Sequence, residues 1–117
     1  MASDEVDLTM VTMTFDAVDP GQLQAVLARY VVLSRGHDGC RNIDLALSTT
    51  HPDRFVVVEK WESPEHQRAH FDSADMVAMA QGCDGILSAP PQIDLLEPLP
   101  SVMGDAERVR SRSGKIQ

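Results

Sequence analysis

One strand restricts the fold more than anything else in the chain. Residues 54–61, RFVVVEKW, are rich in β-branched and aromatic side chains and read as a strand. Side chains alternate between the two faces of a strand. Phe55, Val57, Glu59 and Trp61 therefore share one side, and Val56 and Val58 lie on the other. A strand that is apolar on both sides must be covered on both sides. It belongs inside a sheet, with helices on one face and a further layer on the other.

Hydrophobic periodicity supplies the remaining order. Residues 7–15, DLTMVTMTF, alternate loosely and read as a first strand. Asp19, Pro20 and Gln22 then give a cap, a first-turn proline and a capping-box position. Leu23, Val26, Leu27, Tyr30 and Leu33 follow at helical spacing and predict a helix over 20–34. Gly36 and Gly39 in SRGHDGC break it. Residues 41–48, RNIDLALS, form a second strand, with Ile43, Leu45 and Leu47 on one face and Asn42, Asp44 and Ala46 on the other. Pro52-Asp53 is a turn signal, so this strand and RFVVVEKW make a hairpin. Ser63-Pro64 opens a second helix that runs to about Phe71, with Glu65 in its first turn, where the helix dipole favours an acid. Residues 74–81, ADMVAMAQ, are helical again, and Gly82 and Gly85 interrupt them. QIDLLE at 92–97 is a short fourth strand. The order βαββαβ is the ferredoxin-like split unit, an α+β fold. It implies a four-stranded antiparallel sheet with the helices on one face. Nothing is left in the sequence to cover the other face, so a second copy packed sheet to sheet, in a two-fold homodimer, is the economical solution.

The expected division is a domain over residues 1–100 and a flexible tail over 101–117. The tail has four basic residues (Arg108, Arg110, Arg112, Lys115) against two acids (Asp105, Glu107). The body is strongly acidic, because the whole chain of 117 residues carries a net charge of −8. An acidic surface repels phosphate backbones, so nucleic acid is not an expected partner. No apolar run approaches the roughly 20 residues of a membrane helix. The acidic start MASDEVD does not suit a secretory signal, and a cytoplasmic location is expected. Cys40 and Cys83 have no CxxC spacing and are expected to be small buried residues without a disulfide.

Three segments carry a resemblance. SRGHDGC at 34–40, DRFVVVEKWESPEHQRAHFDS at 53–73 and PPQIDLLEP at 90–98 resemble the antibiotic biosynthesis monooxygenase family of small dimeric α+β barrel proteins. The middle segment is the most specific, with Glu-x-Trp ending a strand and Ala-His on the helix that follows. The resemblance implies the ferredoxin-like fold, a homodimer, and one of several activities. These include oxygenation of quinols and anthrones without metal or flavin, haem degradation and work on small signalling molecules. Haem degradation is disfavoured. The aromatic usual in that branch is replaced by His70, its iron-binding His by Met79, and the first strand has no Asn.

The candidate catalytic residues are His70 and Trp61. The resemblance places His70 facing the cavity between sheet and helices. A neutral imidazole there can take a proton from a phenol or carbon acid and make it a better electron donor to O2. Trp61 can stack on a planar substrate and donate one hydrogen bond. The bland alternative makes His70 a structural histidine and Trp61 core. Phe55, Glu59, Phe71, Met79 and Asn42 are the candidate substrate-binding residues. Glu59 needs a partner on its apolar face, either Arg35 or a backbone amide, or it is a base with a shifted pKa. Asn42 and Asp44 orient a substrate if their face lines a cavity, and pair with a partner subunit if it does not. Met76 and Met79 are otherwise core. His66 and His70, four apart, lack the third ligand of a zinc site, so no metal is expected. His37 and His51 sit in loops without clustering. The leading expectation is a cofactor-independent monooxygenase acting with O2 on a small electron-rich aromatic such as a quinol or polyketide. The alternative is a non-catalytic ligand-binding or structural homodimer.

Overall fold

A computed structural model describes residues 8–100. The tail expected over 101–117 lies outside the described residues. The chain forms β1 (Thr9–Asp16), α1 (Pro20–Ser34), β2 (Cys40–Leu47), β3 (Arg54–Trp61), α2 (Pro64–Phe71), α3 (Ala74–Gly82) and β4 (Gln92–Leu96). The four strands make one antiparallel sheet in the order β2-β3-β1-β4. This is the ferredoxin-like arrangement, and β3 occupies the interior position that its two apolar faces demand. The second helical region is two helices, because Ser73 stops one and caps the next by accepting the amide of Met76 at 3.2 Å.

Local signals explain the other helix starts. The Asp19 carboxylate accepts the amide of Gln22 at 3.1 Å, with Pro20 in the first turn. The Ser63 hydroxyl accepts the amide of His66 at 3.1 Å, with Pro64 behind it. Each cap satisfies an amide that the helix itself leaves unpaired. At the hairpin end of β3, Arg54 grips Asp16 of β1 through two hydrogen bonds of 2.8 and 3.0 Å.

The core lies between the sheet and the helices. Val11, Met13 and Phe15 of β1, Ile43 of β2, and Phe55, Val57 and Trp61 of β3 meet Leu23, Leu27, Tyr30 and Val31 of α1, with Met76 and Met79 of α3. On the opposite face Thr12, Thr14, Val56 and Val58 are only half-buried, and Asn42, Asp44 and Lys60 are exposed. β4 is exposed along its whole length, and Leu95, on the helix side of the sheet, is 63% exposed.

A glycine sets how closely the loop after α1 approaches α2. Gly39 has φ +78°, and a Cβ there would lie 2.2 Å from the His66 side chain. Its carbonyl accepts the amide of Glu62 at 2.8 Å, tying the turn to the end of β3. We expect Gly39→Ala to destabilise the fold by about 1–3 kcal/mol, through the left-handed backbone and the collision with His66. Denaturant unfolding of the variant beside the parent checks this.

Candidate functional site

A chain of buried polar groups crosses the core. Glu59 comes from the inner face of β3 and is 2% exposed. Its Oε1 accepts the indole N–H of Trp61 at 2.8 Å. Its Oε2 is hydrogen-bonded to the Tyr30 hydroxyl from α1. The same Tyr30 oxygen lies 2.6 Å from Nε2 of His70 on α2. His70 Nδ1 is 2.8 Å from Nδ1 of His37, in the loop after α1. His37 Nε2 is 2.7 Å from Oδ2 of Asp75 at the start of α3. The Trp61 ring stacks on His70, with centroids 4.4 Å apart and planes at 27°. Tyr30, Trp61 and His70 are all buried, whereas the side chains of His37 and Asp75 are 22% and 32% exposed. The chain therefore starts in the core and ends at solvent.

Burial sets the electrostatics. It pushes the Glu59 carboxyl up from its ordinary value, against the hydrogen bonds from Tyr30 and Trp61 and the field of His37, which pull the other way. It drives His70 down to about 4, helped by the charge on His37 and opposed by Asp75. The Tyr30 hydroxyl is pushed up by burial and by Glu59, so it holds its proton. At neutral pH His70 is an uncharged imidazole flanked by two aromatic rings.

A separate open groove lies beside this network. It has a volume of about 870 Å³ and apolar walls that include Phe15, Phe71, Met76, Met79, Leu87 and Ile93. Ligand cavities span about 300–1,000 Å³. Met79 also lines a smaller hollow next to Tyr30, between α1 and α3. A shallow hollow of His37, Asp38, Glu65, His66, Ala69 and His70 sits at the solvent end of the network.

The structure divides the candidate residues into three places. His70, Trp61 and Glu59 meet in the network. Phe71 and Met79 wall the groove. Phe55 is packed in the core near the other end of β3, paired with Phe15 and not itself on the groove wall. Asn42 is on the outer sheet face, where it donates to Asp44 at 2.8 Å. Arg35 is not the partner of Glu59, because its guanidinium donates to the Ile43 carbonyl at 3.2 and 2.9 Å. His37 does cluster, contrary to its reading as an isolated loop histidine. His66 is half-buried against Gly39, with Nδ1 2.7 Å from the Ser63 hydroxyl. Both cysteines are free thiols. Tyr30 was legible only as a core position, although a buried phenol and a buried acid each need a partner and here satisfy one another. Among the described residues no group of three His, Cys, Asp or Glu could hold a metal ion. No helix among them is long and apolar enough to cross a membrane.

The sequence model of the antibiotic biosynthesis monooxygenase family matches residues 9–82, which takes in the whole network. The chain belongs to this family. Solved structures give the same fold. Rv0793 from Mycobacterium tuberculosis is 24% identical with a TM-score of 0.72, over 81% of this chain and 98% of that one. SnoaB, a cofactor-independent oxygenase from Streptomyces nogalater, is 13% identical with a TM-score of 0.73, over 83% and 98%. PA3566 from Pseudomonas aeruginosa is 25% identical with a TM-score of 0.67, over 82% and 97%. A comparison with curated protein sequences finds no match.

The depressed His70 has a stability consequence. Unfolding returns it to an ordinary value near 6.5, so below that pH the unfolded chain binds more protons than the folded one. The folded state loses stability as pH falls from about 6.5 to about 4. His70→Asn lacks this term. We expect the stability advantage of the parent over His70→Asn to shrink by up to about 3 kcal/mol across that window, read by denaturant titration at each pH.

Proposed function

We propose that this protein is a cofactor-independent monooxygenase that oxidises a small electron-rich aromatic, of quinol or anthrone type, with O2. The observation that carries the reading is a neutral, buried His70, stacked on Trp61, beside an apolar groove of ligand size. Membership of the family and the oxygenase named among its structural relatives support it. The groove walls offer flat apolar contact, with the thioethers of Met76 and Met79 suited to an aromatic face.

The chemistry needs a base more than a cofactor. Removing a proton from a phenol or an activated CH2 leaves an electron-rich anion that can pass an electron to O2. For a CH2 substrate the balance closes without an outside reductant, since the carbon acid and O2 give a carbonyl and water. His70 has Tyr30 on one ring nitrogen and His37 on the other. In this reading the acidic group of the substrate displaces the Tyr30 hydroxyl from Nε2, and His70 takes its proton there. Met79 touches both the groove and the hollow beside Tyr30, so it is the side chain that moves to admit the substrate. Its unbranched thioether makes that movement inexpensive.

A second reading is favoured by one observation, that His70 is only 3% exposed and is not on the groove wall. Then the network would hold the core together, and the groove would bind a ligand without turning it over. Aerobic against anaerobic turnover of a panel of hydroquinones and anthrones, with a chelator present, separates the two. The oxygenase reading expects O2-dependent product, reduced on the order of 100-fold or more in His70→Ala while the fold persists. No product with any substrate, and unfolding of His70→Ala, supports the binding reading.

We also propose that a second copy covers the outer sheet face. Val56 and Val58 lie half-buried there in a central strand, with no helix over that face among the described residues. A charge at the centre of such an interface would be desolvated without a partner. Val58→Asp is therefore expected to halve the mass seen by sedimentation, whereas an unchanged mass rules out packing across this face.

A further inference from the structure

The hydrogen bonds of the network can all be satisfied in two directions. In the first, Glu59 is ionised and accepts from Tyr30, Tyr30 accepts from His70 Nε2–H, and His70 Nδ1 accepts from His37 Nδ1–H. His37 then carries both ring protons and donates its Nε2–H to Asp75. In the second, Glu59 is protonated and donates to Tyr30, Tyr30 donates to His70 Nε2, and His70 Nδ1–H donates to His37. His37 is then neutral and still donates Nε2–H to Asp75. The contacts are the same in both, with three distances of 2.6, 2.8 and 2.7 Å outward from Tyr30 to Asp75. Trp61 donates to the other Glu59 oxygen in either case.

The two directions hold the same number of protons. They interconvert when one proton moves from His37 to His70, one from His70 to Tyr30 and one from Tyr30 to Glu59. No electron moves and no heavy atom changes partner. The net result is one proton delivered from His37 to Glu59, or returned.

We propose that His37 and Asp75 are the solvent port of a proton relay that runs through His70 and Tyr30 to Glu59. The inner groups are sealed, since Glu59, Tyr30 and His70 are each no more than 3% exposed. The outer pair meets solvent. A proton therefore enters or leaves the core along the chain without the core opening. Burial, which favours an uncharged Glu59, biases the resting chain toward the protonated acid. The catalytic use of the relay rests on the oxygenase reading. A proton taken by His70 on Nε2 releases the Nδ1 proton to His37 and out past Asp75; when the Nε2 proton passes to the reduced oxygen that leaves as water, a proton returns through His37 to Nδ1 and the base is restored. In that role His37 is a positioning and relay residue that acts through His70.

Deuterium exchange followed by NMR tests the relay without reference to turnover. The ring N–H of His70 and the hydroxyl proton of Tyr30 are compared with the backbone amides of Val57 and Glu59 in the same core. In the parent the ring and hydroxyl protons are expected to exchange much faster than these amides. In His37→Phe, which keeps a ring but cannot carry a proton, that fast exchange is expected to be lost and to fall to the rate of the amides. If His37→Phe does not fold, His37→Gln serves, since its amide keeps the hydrogen bonds and passes no proton. The proposal is overturned if the parent protons already exchange as slowly as the amides, or if the His37 variant exchanges as fast as the parent. Fast, His37-dependent exchange with no turnover in the substrate panel leaves the relay standing and the oxygenase reading fallen. Turnover with no relay does the reverse.

Discussion

A carboxylate on the apolar face of a central strand makes demands on everything around it. Glu59 sits between Val57 and Trp61 on β3, and an acid buried there without hydrogen bonds would be expensive. Trp61, two residues on, answers one oxygen. Tyr30 answers the other and so fixes the rotation of α1 over the sheet. Tyr30 then needs its own neighbour, which brings in His70 and α2. His70 needs another, which brings in His37 and, through it, Asp75 on α3. One buried acid thus joins every helix to the sheet, with directional contacts that an all-apolar core would lack.

Much of the scaffold was legible from local chemistry. The caps at Asp19 and Ser63, the turn glycine at Gly39 and the two-sided strand at 54–61 each act over a few residues, where sequence and structure are close. The site was only partly legible, because its links are remote. Tyr30 and Glu59 are 29 residues apart, Tyr30 and His70 40, and His37 and His70 33. No periodicity reports such distances. Charge alone pointed Glu59 toward Arg35, but the guanidinium is held by a carbonyl of β2. Alternation did put Phe55 on the same face as Glu59 and Trp61. It could not say that a strand rising about 3.3 Å per residue carries its two ends to different places.

An apolar groove shares the space around the polar chain without being part of it. The groove walled by Phe71 and Met79 is large, while the network residues beside it are sealed. Neighbours in sequence separate here for a helical reason. His70 and Phe71 are consecutive on the last turn of α2, so their side chains diverge by about 100°, one into the core and one into the groove. This arrangement keeps water from the imidazole.

The glycine at position 39 gives the loop a fixed floor. A backbone carbonyl bonded to Glu62, with His66 lying where a side chain would be, holds the segment whatever residue stands two places earlier. Position 37 is thus a socket: its backbone is braced from below, and its side chain meets Nδ1 of His70. In this chain a change at position 37 touches the outer end of the network, whereas a change at Glu59 strands both Tyr30 and Trp61.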